Sequence, residues 1–252
     1  MATPEQLERS RIALEAERSR FAALLLFARH VSHDMSNYIT VVRTYSELLL
    51  ADLPTTGSPH ADVLEIHRAA DAMVDYMQRI GRFARTSTAR PGLVQLDETL
   101  HNIIKESVAV TRIRINLNSA AAVRIDAVWL ADALREVLKN ATEASPENSV
   151  IEVRTCIETV AAPMIDSGVP IEVGMWALIE VTDSGVGIGL DMRSRALDPF
   201  VTTKTAERGA GFGLALARSA VWQAGGQLVI DEPDSTRGGT QVRLWLPLEG
   251  AP

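Results

Sequence analysis

The 252-residue chain holds a single cysteine, Cys156, so it closes no disulfide within itself and offers no cysteine-rich metal site. A reducing, cytoplasmic setting fits that usage. Basic charge is also in short supply. Lys and Arg number 25 against 32 Asp and Glu, a net of −7, which weighs against a nucleic-acid partner held on a basic face. Long apolar runs are missing as well. The longest in the first half, Phe21 to Ala28, falls far short of the roughly 18 to 20 residues that span a bilayer, so no direct membrane insertion is expected. A charged amphipathic stretch precedes this run and no small-residue cleavage site follows it, which argues against a signal peptide. What remains is a chain with 46% hydrophobic residues, enough for a sizeable core and for two domains.

The first 85 residues read as helix. Residues 1–20 are expected as a leading helix, with 5 to 20 rich in Glu, Arg, Leu and Ala, all good helix formers. From Phe21 an apolar stripe runs through Leu24, Ala28, Val31, Met35, Tyr38, Val42, Tyr45 and Leu49. Its alternating steps of three and four suit the seam of a supercoiled bundle. Asp52-Leu53-Pro54 through Ser58-Pro59 breaks the helix, because proline removes a donor and crowds the preceding turn. A second stripe follows: Val63, Ile66, Ala70, Met73, Met77, Ile80 and Ala84. The two helices predict an antiparallel hairpin over 1–85. One hairpin has too little surface to bury both stripes, whereas two make a four-helix bundle, so a homodimer is expected. Residues 86–93 read as a linker.

From residue 94 to 250 the pattern turns to short strands mixed with helices. The expected strands are 112–117, 121–125, 149–158, 170–182, 226–231 and 239–247, and the expected helices 96–108, 127–144 and 212–224. Asp166-Ser167-Gly168-Val169-Pro170 reads as a hairpin turn.

On the first helix, with Ala28 at heptad position a, Val31 falls at d, His33 at f, Met35 at the next a and Asn37 at c. His33 and Asn37 therefore lie one turn apart on the outer face, with Asp34 beside His33. A neutral imidazole is a competent nucleophile near pH 7 when it is exposed. A neighbouring carboxylate that accepts a proton from one ring nitrogen presents the other as the attacking lone pair. His67 and His101 have no companions at zinc-ligand spacing.

Two glycine clusters mark the second domain. Asp183-Ser184-Gly185-Val186-Gly187-Ile188 follows an apolar strand, where the acid can accept a hydrogen bond from an exocyclic amine. Gly209-Ala210-Gly211-Phe212-Gly213-Leu214 opens a helix and offers backbone N–H groups to phosphate oxygens. On the expected helix 127–144, Glu136 and Asn140 share a face, and Asn140 offers an oxygen suited to Mg²⁺.

These signatures, in this order, resemble the two-component sensor histidine kinases of the soluble or hybrid type over about residues 28 to 248. The resemblance implies a fold: an α-helical hairpin that dimerises into a four-helix bundle, plus an α/β sandwich ATP-binding domain of the histidine kinase, gyrase and heat-shock-chaperone type. It implies that Ser32-His33-Asp34-Met35-Ser36-Asn37 is the phosphoacceptor box. His33 would then be the phosphorylated residue, Asp34 its acid–base partner and Asn37 the position used in dephosphorylating a regulator. It likewise implies that Asn140 holds Mg²⁺ and Asp183, with Gly185 and Gly187, reads the adenine amine of ATP. Asp198-Pro199-Phe200 resembles the F box, and Gly209, Gly211 and Gly213 the phosphate-cradling glycines. Thr240 resembles the threonine near the adenine. Lys204 and Arg208, in a short lid, are candidate phosphate contacts.

Two departures stand out. Met35-Ser36 replaces the more usual Phe-Asn. Glu136 stands where these kinases often have Asn and where the gyrase and chaperone ATPases carry a water-activating glutamate. The expected function is autophosphorylation of His33 from Mg-ATP, then transfer to an aspartate of a response regulator receiver domain, with phosphatase action as a second capacity. The alternatives are an ATP-independent histidine phosphotransferase relay of the same fold and an ATPase working through Glu136.

Overall fold

The computed structural model describes residues 3–84, 90–107, 112–193, 195–202, 211–233 and 238–248. These form two compact units, residues 17–88 and residues 89–252 together with 1–16. Half of the expected linker, residues 86–89, lies outside the described residues. Its last two residues, Gly92 and Leu93, belong to a strand.

Helix α1 covers Pro4–Asp52 and helix α2 Ser58–Phe83. Pro54 lies in the break, as expected, but Pro59 stands in the first turn of α2. Proline is tolerated there because its missing N–H has no intrahelical acceptor. In the unit of residues 17–88 the buried side of α1 is Phe21, Leu25, Ala28, Ser32, Ile39 and Ser46. This is displaced from the expected seam. Met35, Tyr38, Val42, Tyr45 and Leu49 stay exposed, Tyr45 at 65%. On α2, Ala70 and Ile80 are buried while Ile66 and Met73 are bare. The apolar surface of α1 is wider than one partner helix covers, and α2 takes only one flank of it. Phe21 and Phe83 close the hairpin edge to face, 5.7 Å between centroids. Among the described residues no helix is long and apolar enough to cross a membrane.

The second unit opens with β1 (Gly92–Gln95), α3 (Leu96–Glu106), β2 (Ile113–Leu117), β3 (Ala122–Ile125) and α4 (Ala127–Ala144). Strands β4 (Ile151–Val160), β5 (Met164–Asp166), β6 (Val169–Ile171) and β7 (Gly174–Thr182) follow. A single turn α5 (Leu190–Arg193), then α6 (Gly213–Gln223), β8 (Gln227–Asp231) and β9 (Gln241–Pro247), complete it. The main sheet has order β2-β4-β7-β9-β8, antiparallel except for the β2–β4 pair. The expected strand 170–182 is two strands, and the expected turn joins β5 to β6 through Ser167 and Gly168, both at positive φ.

Alternation fixes the layers. In β4, Ile151, Val153 and Thr155 are buried while Glu152 and Arg154 face out. The inward residues meet Leu100 and Ile103 of α3, Leu130, Leu134 and Val137 of α4, and Ala217 and Val221 of α6 in one core. The opposite face carries the ion pairs Arg114–Glu152 and Arg154–Glu180, and a smaller cluster of Trp176, Trp245, Ile171 and Val229. Helix α4 starts where Asp126 accepts from the N–H groups of Val128 and Trp129, an N-cap.

Candidate functional site

Two constellations carry chemistry, one in each unit. On α1, His33 and Asp34 are both exposed, with Nδ1 of the ring 3.2 Å from Oδ1 of Asp34. An Nδ1–H donated to this carboxylate leaves the lone pair on Nε2, pointing to solvent. Asn37 is exposed one turn on. The neighbour that sequence reasoning left without a role is Ser32. It is buried, and its Oγ donates to the Met77 carbonyl at 2.9 Å, pinning α1 to α2 one residue before His33. Gly81 allows this approach, since a Cβ there would stand 3.1 Å from Ser32 Oγ.

In the second unit, Asp183 ends β7 and is 6% exposed. Its Oδ1 accepts from the N–H groups of Gly185 at 2.8 Å and Thr240 at 3.0 Å, and its own N–H donates to the Thr240 carbonyl. Burial pushes its carboxyl above the ordinary aspartate range, and those bonds only partly oppose the shift. Gly239 makes this closeness possible. It sits at φ +116°, and a Cβ there would lie 2.1 Å from the Asp183 carbonyl oxygen. Gly187 packs against Gly239, and Gly185 against the last carbonyl of α4 at Ala144.

The expected phosphate end assembles beside it. Gly213 is the first residue of α6, and a Cβ on it would lie 2.7 Å from Oε2 of Glu136 and 3.3 Å from Nδ2 of Asn140. A helix N-terminus therefore faces the polar side of α4. Gly211, at φ +70°, leans on the backbone of Phe200, whose N–H donates to its carbonyl at 3.0 Å. Phe200 and Phe212 stack edge to face at 4.8 Å. Asp198 meets the buried Arg218, whose guanidinium also lies over Trp222. Lys204, Arg208 and Gly209 lie outside the described residues.

Among the described residues no three His, Cys, Asp or Glu side chains converge as a metal cage. Glu136 instead presents a carboxylate oxygen beside the α6 N-terminus, and Asn140, whose Nδ2 is the amide atom nearest Gly213, carries a further hard oxygen on the same amide. That donor set fits Mg²⁺ arriving with a polyphosphate, because this ion needs one or two protein ligands and takes the rest from phosphate and water.

The family model described as "Histidine kinase-, DNA gyrase B-, and HSP90-like ATPase" matches residues 125–250, the stretch that holds Asp183, Asn140 and the glycines. The chain belongs to this family. Its kinship there is with the two-component sensor histidine kinases. It is 25% identical over 239 residues to sensor kinase CckA of Brucella abortus, covering 92% of this chain and 25% of that protein. It is 27% identical over 237 residues to nitrogen regulation protein NtrY of Azorhizobium caulinodans, covering 88% and 28%. The chain thus spans about a quarter of the length of these relatives. In fold it matches full-length ShkA in complex with AMPPNP, with TM-score 0.59 and 19% identity over 88% of this chain and 45% of that one. The mycobacterial sensor histidine kinase MprB aligns at TM-score 0.50 and 24% identity, covering 63% and 98%.

Proposed function

We propose that this chain is a histidine kinase core that phosphorylates itself on His33 from ATP and passes the group to an aspartate of a receiver domain. The observation that carries the reading is the pairing, on one chain, of an exposed His33–Asp34 couple with a buried, backbone-anchored Asp183 flanked by the Asn140–Gly213 polyphosphate end. The complex of full-length ShkA with AMPPNP, a triphosphate analogue, supports a nucleotide in the equivalent fold.

In this mechanism Asp183 accepts from the adenine amine, with Thr240 and Gly187 at its side. The N–H groups at the start of α6 take the phosphate end. Asn140, with Glu136 beside it, would hold Mg²⁺, which when bound would supply charge neutralisation for the polyphosphate. The Nε2 lone pair of His33 attacks the γ-phosphorus and the bond to the β-phosphate oxygen breaks, so ADP leaves with that electron pair. Asp34 takes the Nδ1 proton as the ring becomes cationic. Catalysis is then chiefly positioning and charge stabilisation. Glu136, beside Asn140 and Gly213, is placed to activate water in a competing hydrolysis. The bare Tyr38–Leu49 stripe is the homodimer face, and Asn37 orients water when the regulator is dephosphorylated.

Incubation with γ-labelled ATP and Mg²⁺ tests the proposal. Label that is acid-labile, alkali-stable and absent from the His33→Gln variant is the expected outcome. Continuous phosphate release that survives His33→Gln but collapses in Glu136→Ala would make the chain an ATPase instead. Absence of ATP binding would leave a relay module.

A further inference from the structure

Arg193, the last residue of α5, is a cation that no spacing or motif in the sequence marks. Its side chain is 13% exposed and fully engaged. Nε donates to the Ile188 carbonyl at 2.9 Å, one terminal nitrogen donates to Asp231 at 3.0 Å, and the other pairs with Glu232. Its backbone N–H donates to Gly189, so backbone and side chain close the same turn.

The placement of these partners gives the arginine its meaning. Ile188 belongs to the segment that leaves Asp183 through Gly185 and Gly187. Asp231 and Glu232 are where the β8–β9 connection departs, and the far end of that connection brings Gly239 and Thr240 back to Asp183. One guanidinium therefore holds together the roots of the two segments that frame the Asp183 carboxylate. Its anchor is itself braced. Asp231 also accepts from Arg243 at 3.1 Å and from Ser167 Oγ. Arg243 in turn reaches Asp166, which accepts from the Trp245 indole at 2.8 Å. The β5–β6 hairpin, β9 and β8 thus back a single side chain. A planar fork with donors in fixed directions serves three acceptors at once, which a lysine ammonium on a flexible stem does not reproduce.

We propose that Arg193 is a positioning residue for the base end of the nucleotide site: it sets the separation of the Gly187–Ile188 and Gly239–Thr240 segments, and through them the aim of Asp183 at the adenine amine. The inference rests on the ATP-binding reading above. It commits further, because Arg193 is to act on the base and not on the phosphates.

The test uses the whole chain. Affinities for Mg-ATP and for Mg-tripolyphosphate, which has no base, are measured by calorimetry on wild type, Arg193→Ala and Arg193→Lys, together with melting temperature. Arg193→Ala is expected to weaken ATP by about tenfold, the scale on which supporting residues behind a binding group act. Tripolyphosphate affinity is expected to stay within about twofold, binding stoichiometry to hold, and Arg193→Lys to recover only part of the ATP loss. The ATP loss is also expected in KM for autophosphorylation more than in kcat. Unchanged ATP affinity in Arg193→Ala overturns the inference, as does an equal loss of ATP and tripolyphosphate. If the alanine variant does not fold, the same two criteria apply to Arg193→Lys. Wild type that binds no ATP overturns the kinase reading and this inference together, which separates that failure from a failure of Arg193 alone.

Discussion

Asp183→Asn is the sharpest perturbation of the nucleotide reading, because the structure separates what the residue does for the fold from what it does for a ligand. Its Oδ1 holds two backbone N–H groups, from Gly185 and Thr240, and the carboxylate also takes a hydrogen bond from the Thr240 side chain. The asparagine oxygen accepts both, so the framing segments keep their places. The second carboxylate oxygen becomes an NH₂ group, a donor facing the donor on adenine. A hydrogen bond to a charged acceptor contributes about 1.5 to 3 kcal/mol. At 1.4 kcal/mol per decade, that is roughly a ten- to hundredfold loss of ATP affinity. Inosine triphosphate carries a carbonyl where adenine has its amine, so the variant should bind it better than wild type does and reverse the preference.

The fold should not suffer. Burial raises the Asp183 carboxyl in the folded state, so the folded protein binds that proton more readily than the unfolded chain. The linked stability is greatest below the unfolded value and falls as pH rises through the folded one, so at neutral pH the ionised group costs stability. Asp183→Asn should therefore melt no lower than wild type at pH 7, and its relative advantage should shrink on acidification. Calorimetry with ATP and inosine triphosphate, beside a melting series in pH, measures all of this. Unchanged ATP affinity with unchanged preference would refute the assignment of Asp183 to the base.

Other perturbations read other parts of the structure. Burial alone would raise Asp97, but hydrogen bonds from Ser119, Thr155 and the Ala120 amide outweigh it and hold the carboxyl below the ordinary range. The resulting stability is present above the unfolded value and is lost as pH falls through the folded one; Asp97→Ala should cost about 2 kcal/mol in urea unfolding near pH 7, a figure held down by the partial exposure of the group, and should cost little in strong acid. Gly213→Ala should fold normally yet weaken ATP, because its new methyl meets the movable end of Glu136, whereas Gly239→Ala meets a backbone carbonyl and should lower both melting temperature and binding. Val42→Glu, in the bare stripe of α1, should turn a dimer into a monomer in sedimentation while leaving helicity intact, since burying each such apolar side chain is worth about 1.5 to 3 kcal/mol.

Local patterns made much of this legible. The helix expected over 127–144 has those limits in the structure, because a continuous apolar face follows an N-cap aspartate and Pro146 lies just beyond its end. The expected apolar strand does precede Asp183, and Gly213 opens a helix as its cluster predicts. What sequence periodicity could not supply was partnership. The stripe on α1 was visible as apolar, but which flank α2 takes depends on packing against Ser32, Ala70 and Gly81, and small residues carry no periodic signal. The run 170–182 read as one strand because β6 and β7 are both apolar and the break at Glu172 and Val173 holds neither an Asn-Gly nor an Asp-Gly turn. Gly239 carried no signal of its own beside Thr240, and Arg193 none at all. Its partners lie at positions 188, 231 and 232, brought together by the sheet.

The two ends of the nucleotide site are built to different stiffness, and the difference follows the chemistry each must perform. At the base end every close approach is backbone on backbone: Gly239 to the Asp183 carbonyl, Gly187 to the Gly239 carbonyl, Gly185 to the Ala144 carbonyl, with Arg193 fixing the roots. Nothing there yields without moving a strand or a helix. At the phosphate end Gly211 is held against the Phe200 backbone, but Gly213 faces the side chains of Glu136 and Asn140, whose far ends change rotamer at small cost. A donor nucleotide must be held by its base before and after transfer, while its phosphate end changes charge and length within one turnover. Under the proposed kinase reading, a stiff frame at the base and movable side chains opposite Gly213 meet both demands. The same reading accounts for a buried aspartate, unfavourable for stability, in the stiff part of the frame: there its direction stays fixed enough to select a base.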